Sequence, residues 1–232
     1  MIRIAKIFQS VQGEGKLTGI PSIFIRTSGC NLRCWFCDTP YASWKPEGDQ
    51  LAVEEIIRRV KEYRSKHVVI TGGEPMIAPE LPQLVSGLRD DGLHVTIETA
   101  GTVIHEPPVE CDLMSISPKL SNSTPDIETA GTWQSQHQST RHRPEIVKRL
   151  MKSGTEYQLK FVVGSILDVE EVMEYLQELQ DYQVENVMMM PRGVTSQELN
   201  LQASWLVPWC IDRGIRYCDR SHIHWFGNRR GT

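Results

Sequence analysis

With 232 residues, 40% of them hydrophobic and 23% charged, the chain has the makeup of an ordinary globular protein and length for one domain, expected to span 1–232. A formal net charge of −4 supplies no basic field, which argues against stable binding to tRNA or DNA. No stretch approaches the roughly 18 consecutive apolar residues that cross a bilayer, and the opening MIRIAKIFQSVQGEG lacks the apolar core and cleavage site of a signal peptide, so a cytoplasmic protein is expected.

Residues 2–8 (IRIAKIF) and 22–28 (SIFIRTS) read as short strands between glycine-bearing loops. The stretch 51–64 sets Leu51, Ile56, Val60 and Tyr63 near helical spacing, with charges on the other face. A strand at 67–71 stops at Gly72 and Gly73, and a helix at 80–90 and strands at 93–98 and 112–117 follow. From Asn122 to Arg143 the rhythm breaks. Ser, Thr, Gln and His with few aliphatics predict a long loop or small irregular insertion, read as surface decoration rather than a lid. Helix 144–152, strand 156–163 (EYQLKFVV), helix 168–180, strand 185–190, helix 196–213 and a strand near 215–217 complete the chain. Such alternation predicts an α/β fold on a parallel sheet. About six βα units are fewer than the eight of a closed TIM barrel, so the expected architecture is an open, partial (β/α)6 TIM-like barrel with a loop insertion. Chemistry then belongs at the C-terminal ends of the strands.

Six cysteines on a chain this long, with no sign of export, do not require disulfides. Cys30, Cys34 and Cys37 form a C-x3-C-x2-C cluster, whereas Cys111, Cys210 and Cys218 are scattered. Three close thiolates with no evident fourth suit a [4Fe-4S] cluster with one iron open to a small chelating ligand. Trp35 and Phe36 would shield it from water. The competing reading is a zinc-stabilised binding module with His67 or Cys111 as fourth ligand, although zinc sites generally use paired C-x2-C knuckles and no second knuckle exists here. The cysteine spacing is similar to that of the radical S-adenosylmethionine (SAM) superfamily, and TGGEP (71–75), after a strand, looks like its GGE motif.

A narrower resemblance covers most of the chain outside 122–143. FQSVQGEGKLTGIPSIFIRTSGCNLRCWFCDT (8–39), TGGEP, ETAG (98–101), SPK (117–119) and HIHWFGNRRG (222–231) resemble the 7-carboxy-7-deazaguanine synthase family. The resemblance implies a lyase that converts 6-carboxy-5,6,7,8-tetrahydropterin to 7-carboxy-7-deazaguanine with release of ammonia, in queuosine and deazapurine biosynthesis. It implies a [4Fe-4S] cluster on Cys30, Cys34 and Cys37, SAM, and Mg2+ bound at Thr39. Phe36, Cys37, Asp38, Gly73, Glu74, Ser117, Pro118 and Lys119 match SAM contacts. Met190 stands where many members carry glutamine, so only a backbone contact carries over there. Gln12, Gly13, Glu14, Arg26, Thr71 and His222 match substrate contacts, with His224 a rival to His222. The planar fork of Arg26 suits a substrate carboxylate, and Gln12 and Glu14 offer edges suited to a pterin's amide and amino groups. A flavodoxin- or ferredoxin-type reductant and a homodimer are the implied partners. An activase that generates a glycyl radical on a partner protein is the alternative within the superfamily.

Overall fold

The computed structural model describes residues 1–231. β1 (Ile2–Val11) and β2 (Pro21–Thr27) run antiparallel, in register from Val11 opposite Pro21 to Ile4 opposite Thr27, with a bulge between Ile4 and Lys6. The short β3 (Asp49–Leu51) lies antiparallel to the start of β1. From β2 onward every pairing is parallel, through β4 (His67–Gly72), β5 (His94–Thr99), β6 (Cys111–Ile116), β7 (Gly154–Val163), β8 (Val187–Pro191) and β9 (Arg216–Tyr217). The spatial order is β3-β1-β2-β4-β5-β6-β7-β8-β9, and it does not close on itself. The open α/β barrel expected from the sequence is therefore present. An all-parallel start is not, because the first two strands form a hairpin.

The helices are α1 (Val53–Val60), α2 (Leu81–Asp90), α3 (Ile127–Ala130), α4 (Trp133–Thr140), α5 (Pro144–Leu150), α6 (Ile166–Leu179), α7 (Ser196–Arg213) and α8 (Ser221–Phe226). Strands covered on both faces have to be apolar almost throughout: Val68–Ile70 of β4 and all five residues of β8 are buried. α6 and α7 begin with reciprocal caps, Ser165 with Asp168 and Thr195 with Glu198, that satisfy the free backbone N–H groups of their first turns. α7 ends at Gly214, whose φ of 61° and ψ of 25° are left-handed and favour glycine.

Two expectations need correction. The polar stretch 122–143 is not a loop: it holds α3 and α4, and His137 of α4 is fully buried. It is also not decoration, since it packs against the cysteine-bearing segment. α8 was not anticipated at all.

β7 shows how the barrel divides its faces. Leu159, Phe161 and Val163 point into the helical layer and are 0% exposed, while Gln158, Lys160 and Val162 alternate toward the interior. Phe161 meets Tyr175 of α6 edge to face, 5.6 Å between ring centroids. Phe161→Ala is expected to lower stability by about 3–5 kcal/mol. Urea unfolding checks this: the midpoint should fall while the slope stays constant.

Candidate active site

Two cavities open at the C-terminal ends of the parallel strands. The larger, about 770 Å³, is lined by Cys30, Cys34 and Cys37. The smaller, about 400 Å³, lies beside the β1–β2 loop and contains Gln12, Arg26 and His222. Glu14, Asp38, Thr39, Thr71 and Glu98 line both, so the two share a rim.

The cysteines lie on the segment between β2 and β3. Burial, with added repulsion from Glu74, pushes the Cys30 thiol up to about 12; burial also pushes Cys34 up to about 11, against the pull of Lys119. Cys37 Sγ lies 3.1 Å from Ser43 Oγ. All three are free thiols facing one cavity. Among the described residues no three His, Cys, Asp or Glu side chains are grouped as a site for a single metal ion. Three thiols of one segment facing the same cavity fit a multi-iron cluster, whose corners stand apart. The proposed fourth zinc ligands are misplaced: His67 and Cys111 begin β4 and β6, at the opposite ends of their strands. Cys218 instead accepts a hydrogen bond from the Gly15 backbone N–H at 3.0 Å, and Cys210 is buried in α7.

Of the residues matched to SAM contacts, Phe36, Cys37, Asp38, Gly73, Ser117, Lys119 and Met190 line the larger cavity. Gly73 is dictated by crowding, because a Cβ there would stand 1.9 Å from the Gly29 carbonyl oxygen and 2.6 Å from that of Ala42. Lys119 Nζ donates to the Ser117 hydroxyl at 2.8 Å and to its carbonyl at 2.9 Å. Glu74 and Pro118 are buried outside the cavity. The Glu74 carboxylate accepts from Thr99 Oγ1 (2.8 Å), Ala100 N (2.7 Å) and Met76 N (3.1 Å), tying the end of β4 to the end of β5. Trp35 is 54% exposed, so it shields little.

Gln12, Gly13, Glu14, Arg26, Thr71 and His222 all line the smaller cavity. Gln12 Nε2 donates to Ser22 Oγ at 2.9 Å. Ser221 N donates to Gly13 O at 2.9 Å, and His222 packs so closely on Gly13 that a Cβ there would stand 2.4 Å from its Nδ1. Burial pulls the His222 pKa below its ordinary value, the Arg220 charge helping and Glu14 opposing. His224 lies outside both cavities and reaches Asp219 at 3.3 Å. Buried Arg26 Nε has no hydrogen-bond partner, and no carboxylate among the described residues is within ion-pair distance of its guanidinium.

The sequence reading missed the charges that organise the rim. Lys160, 4% exposed at its side chain, donates to Glu14 Oε2 (3.0 Å) and Glu98 Oε1 (2.8 Å). Thr71 Oγ1 donates to Glu98 Oε2 at 2.8 Å. Arg220 donates from Nε to Glu14 Oε1 (3.1 Å), to the Gly193 carbonyl (2.6 Å) and to Asp38. Burial alone would raise the Glu14 pKa, but the charges of Lys160, Arg220 and His222 outweigh it and hold Glu14 well below its ordinary 4.5. Burial likewise opposes the charge on Lys160, yet Glu98 and Glu14 raise its pKa. A lysine alternating with a glutamine inside the apolar strand EYQLKFVV was the available signal.

The Radical SAM superfamily model matches residues 24–116. A 7-carboxy-7-deazaguanine synthase of Rhodopirellula baltica is 50% identical, over 99% of this chain and 88% of that protein. The Halobacterium salinarum enzyme of the same name is 40% identical, over 95% and 88%. Among solved structures, the crystal structure of QueE from Escherichia coli superposes with a TM-score of 0.66 at 27% identity, covering 95% of this chain and 94% of that one.

Lys160→Met leaves two partly buried carboxylates short of a cation and is expected to cost about 1–3 kcal/mol at pH 8. Glu14 has a depressed folded pKa, so the stability it contributes is present above 4.5 and is lost as pH falls below that value. In the variant the carboxylates take up protons more readily, so the deficit should be smaller at pH 5 than at pH 8. Urea unfolding of both proteins at the two pH values measures it.

Proposed function

The chain belongs to the 7-carboxy-7-deazaguanine synthase family of radical SAM enzymes, and from that premise we propose how its two joined cavities divide one reaction. Membership sets aside both the zinc module and the glycyl-radical activase. Such an enzyme uses a [4Fe-4S] cluster and SAM, and when bound the cluster supplies the electron that cleaves the sulfonium C–S bond of SAM. In our reading Cys30, Cys34 and Cys37 hold the cluster. The larger cavity takes SAM against Gly73, Ser117, Lys119 and the backbone at Met190. The smaller takes 6-carboxy-5,6,7,8-tetrahydropterin, which leaves as 7-carboxy-7-deazaguanine after loss of ammonia.

One observation carries the division: the cavity of the three cysteines and the cavity of Arg26, whose Nε lacks an acceptor, share a rim, so molecules in the two can touch. Arg26 would receive the substrate carboxylate, its Nε being a buried donor without an acceptor. Glu14 spends one acceptor site of each oxygen on Lys160 and Arg220 and keeps others for a pterin's amino and amide N–H groups. His222, held against Gly13, would close the other side. What the rim does is position, holding the reacting carbon of the substrate beside the nucleoside.

Mg2+ at Thr39 belongs to the same proposal. Thr39 lines both cavities, beside the carboxylates of Glu14, Asp38 and Glu98. A hard dication binds oxygen and readily includes substrate atoms among its ligands. A flavodoxin- or ferredoxin-type protein would deliver the electron, supported by the exposure of Trp35 beside the cysteines. Homodimer formation rests on the family resemblance. A cytoplasmic location is supported by the finding that no helix of the described residues is long and apolar enough to cross a membrane.

Anaerobic incubation with carboxytetrahydropterin, SAM, Mg2+ and dithionite should yield 7-carboxy-7-deazaguanine by mass spectrometry; no product from protein with a full cluster counts against the reading. Arg26→Ala is expected to weaken substrate binding about 10- to 100-fold with iron content unchanged. Loss of iron in that variant would make Arg26 structural instead.

A further inference from the structure

We infer that the 122–143 insertion is a clamp on the cluster-binding segment, and that His137 is the positioning residue through which it acts on the loop around Cys34. This rests on the radical SAM reading and concerns how the chain holds the cysteines in shape.

Cys34 is flanked by two peptides, and the insertion grips both. On one side the Arg33 backbone N–H donates to His137 Nδ1 at 3.0 Å, in a fully buried contact. On the other, the Trp35 backbone N–H donates to the Ser123 carbonyl at 3.2 Å, and the Trp35 indole N–H to the Asn122 carbonyl at 2.7 Å. An N–H group points at Nδ1, so that nitrogen is the acceptor and the ring proton sits on Nε2. Nε2 faces Ser123 Oγ at 2.9 Å, and that hydroxyl passes its own hydrogen to the Leu120 carbonyl at 2.6 Å. The chain from Arg33 through His137 and Ser123 to Leu120 is thus fully satisfied and has one direction.

A second contact acts on the same residue. The Arg33 guanidinium stacks on Trp133, 3.7 Å from its ring centroid, and its NH1 donates to the carbonyls of Cys30 (2.7 Å) and Leu32 (2.8 Å). The insertion therefore fixes Arg33 at backbone and side chain, and Arg33 fixes the backbone of Cys30. Burial, with the positive charges of Arg141 and Lys119, pulls His137 down to about 4, so the imidazole stays a neutral acceptor at neutral pH. A loop already ordered spares cluster binding much of the entropy cost of fixing its backbone.

His137→Phe fills the space but breaks both hydrogen bonds, whereas His137→Gln keeps a side-chain acceptor and donor. After anaerobic reconstitution, iron loss to an iron(II) chelator is expected to be about tenfold faster in His137→Phe than in the wild type and close to wild type in His137→Gln. The EPR signal of the reduced cluster should change shape in His137→Phe alone, while the metal-free form of each variant melts cooperatively. Trp133→Ala, at a half-buried site that leaves the hydrogen bonds intact, should release iron two- to threefold faster. Wild-type release rates and EPR in His137→Phe, or an unfolded metal-free His137→Phe, would overturn the inference. An unchanged rate in Trp133→Ala would do the same. Wild-type protein whose EPR signal ignores SAM would instead count against the radical SAM reading itself.

Discussion

The ammonium group of Lys160 stands where an open barrel has to be held together without a closing strand. β2 and β9 sit far apart in the sheet order, and no backbone ladder joins them. What joins them is a line of charge across the mouth: Thr71 to Glu98, Glu98 to Lys160, Lys160 to Glu14, Glu14 to Arg220, Arg220 to Asp38. Glu14 comes from the hairpin loop at one side, Lys160 from β7 and Arg220 from beyond β9. The same seam carries three backbone-directed contacts: Ser221 N–H to the Gly13 carbonyl, the Gly15 N–H to Cys218 sulfur, and His222 against Gly13. Lys160 and Arg220 are the buried members of this line, so removing a carboxylate partner leaves a buried cation short of its counter-charge, and the groups act as one unit.

The glycine pair after β4 serves the cysteine side in a comparable way. Gly72 has a φ of 133°, and a Cβ on it would lie 2.1 Å from the Thr27 carbonyl oxygen. With Gly73 it lets the end of β4 run directly beneath the start of the cysteine segment, where Glu74 N–H donates to Gly29 O at 2.9 Å and Gly29 N–H to Ala42 O at 2.8 Å. The carboxylate of Glu74, turned inward, then fastens this crossing to β5. A motif that looks like a cofactor contact is therefore also a latch between two backbones. The glycines face the cavity and the glutamate holds them there.

Much of this was legible in the sequence, for identifiable reasons. Parallel strands buried on both faces are apolar runs, and the helices at 168–180 and 196–213 are legible between them, although the caps at Ser165 and Thr195 that start them went unread. All six residues matched to substrate contacts converge on one cavity because each sits at a strand end, on the hairpin loop or on α8. α4 was illegible because WQSQHQST buries only His137, and one buried polar residue makes no periodic apolar face. The β1–β2 pairing was hidden by a connection too long for a turn signature. Lys160 and Arg220 escaped because a buried charge is visible only through its partners, and these lie 146 and 206 residues away at Glu14.

The distribution of satisfied and unsatisfied groups gives the site its logic. Glu14, Asp38 and Glu98 all have internal cations, and Lys160 and Arg220 have internal anions. Arg26, on β2 in the same cavity, has neither a carboxylate nor an acceptor at Nε, although burying a donor without an acceptor costs about 1–3 kcal/mol. Asp38 would be the natural competitor for Arg26, since its charge is felt there, but Arg220 already occupies it. An anion entering the smaller cavity thus meets, at Arg26, a guanidinium whose nearest internal rival for a carboxylate is engaged elsewhere. On the proposed reading that is how a small acidic substrate is oriented: Lys160 and Arg220 neutralise the carboxylates along the seam, and Arg26 decides which end of the molecule points to β2.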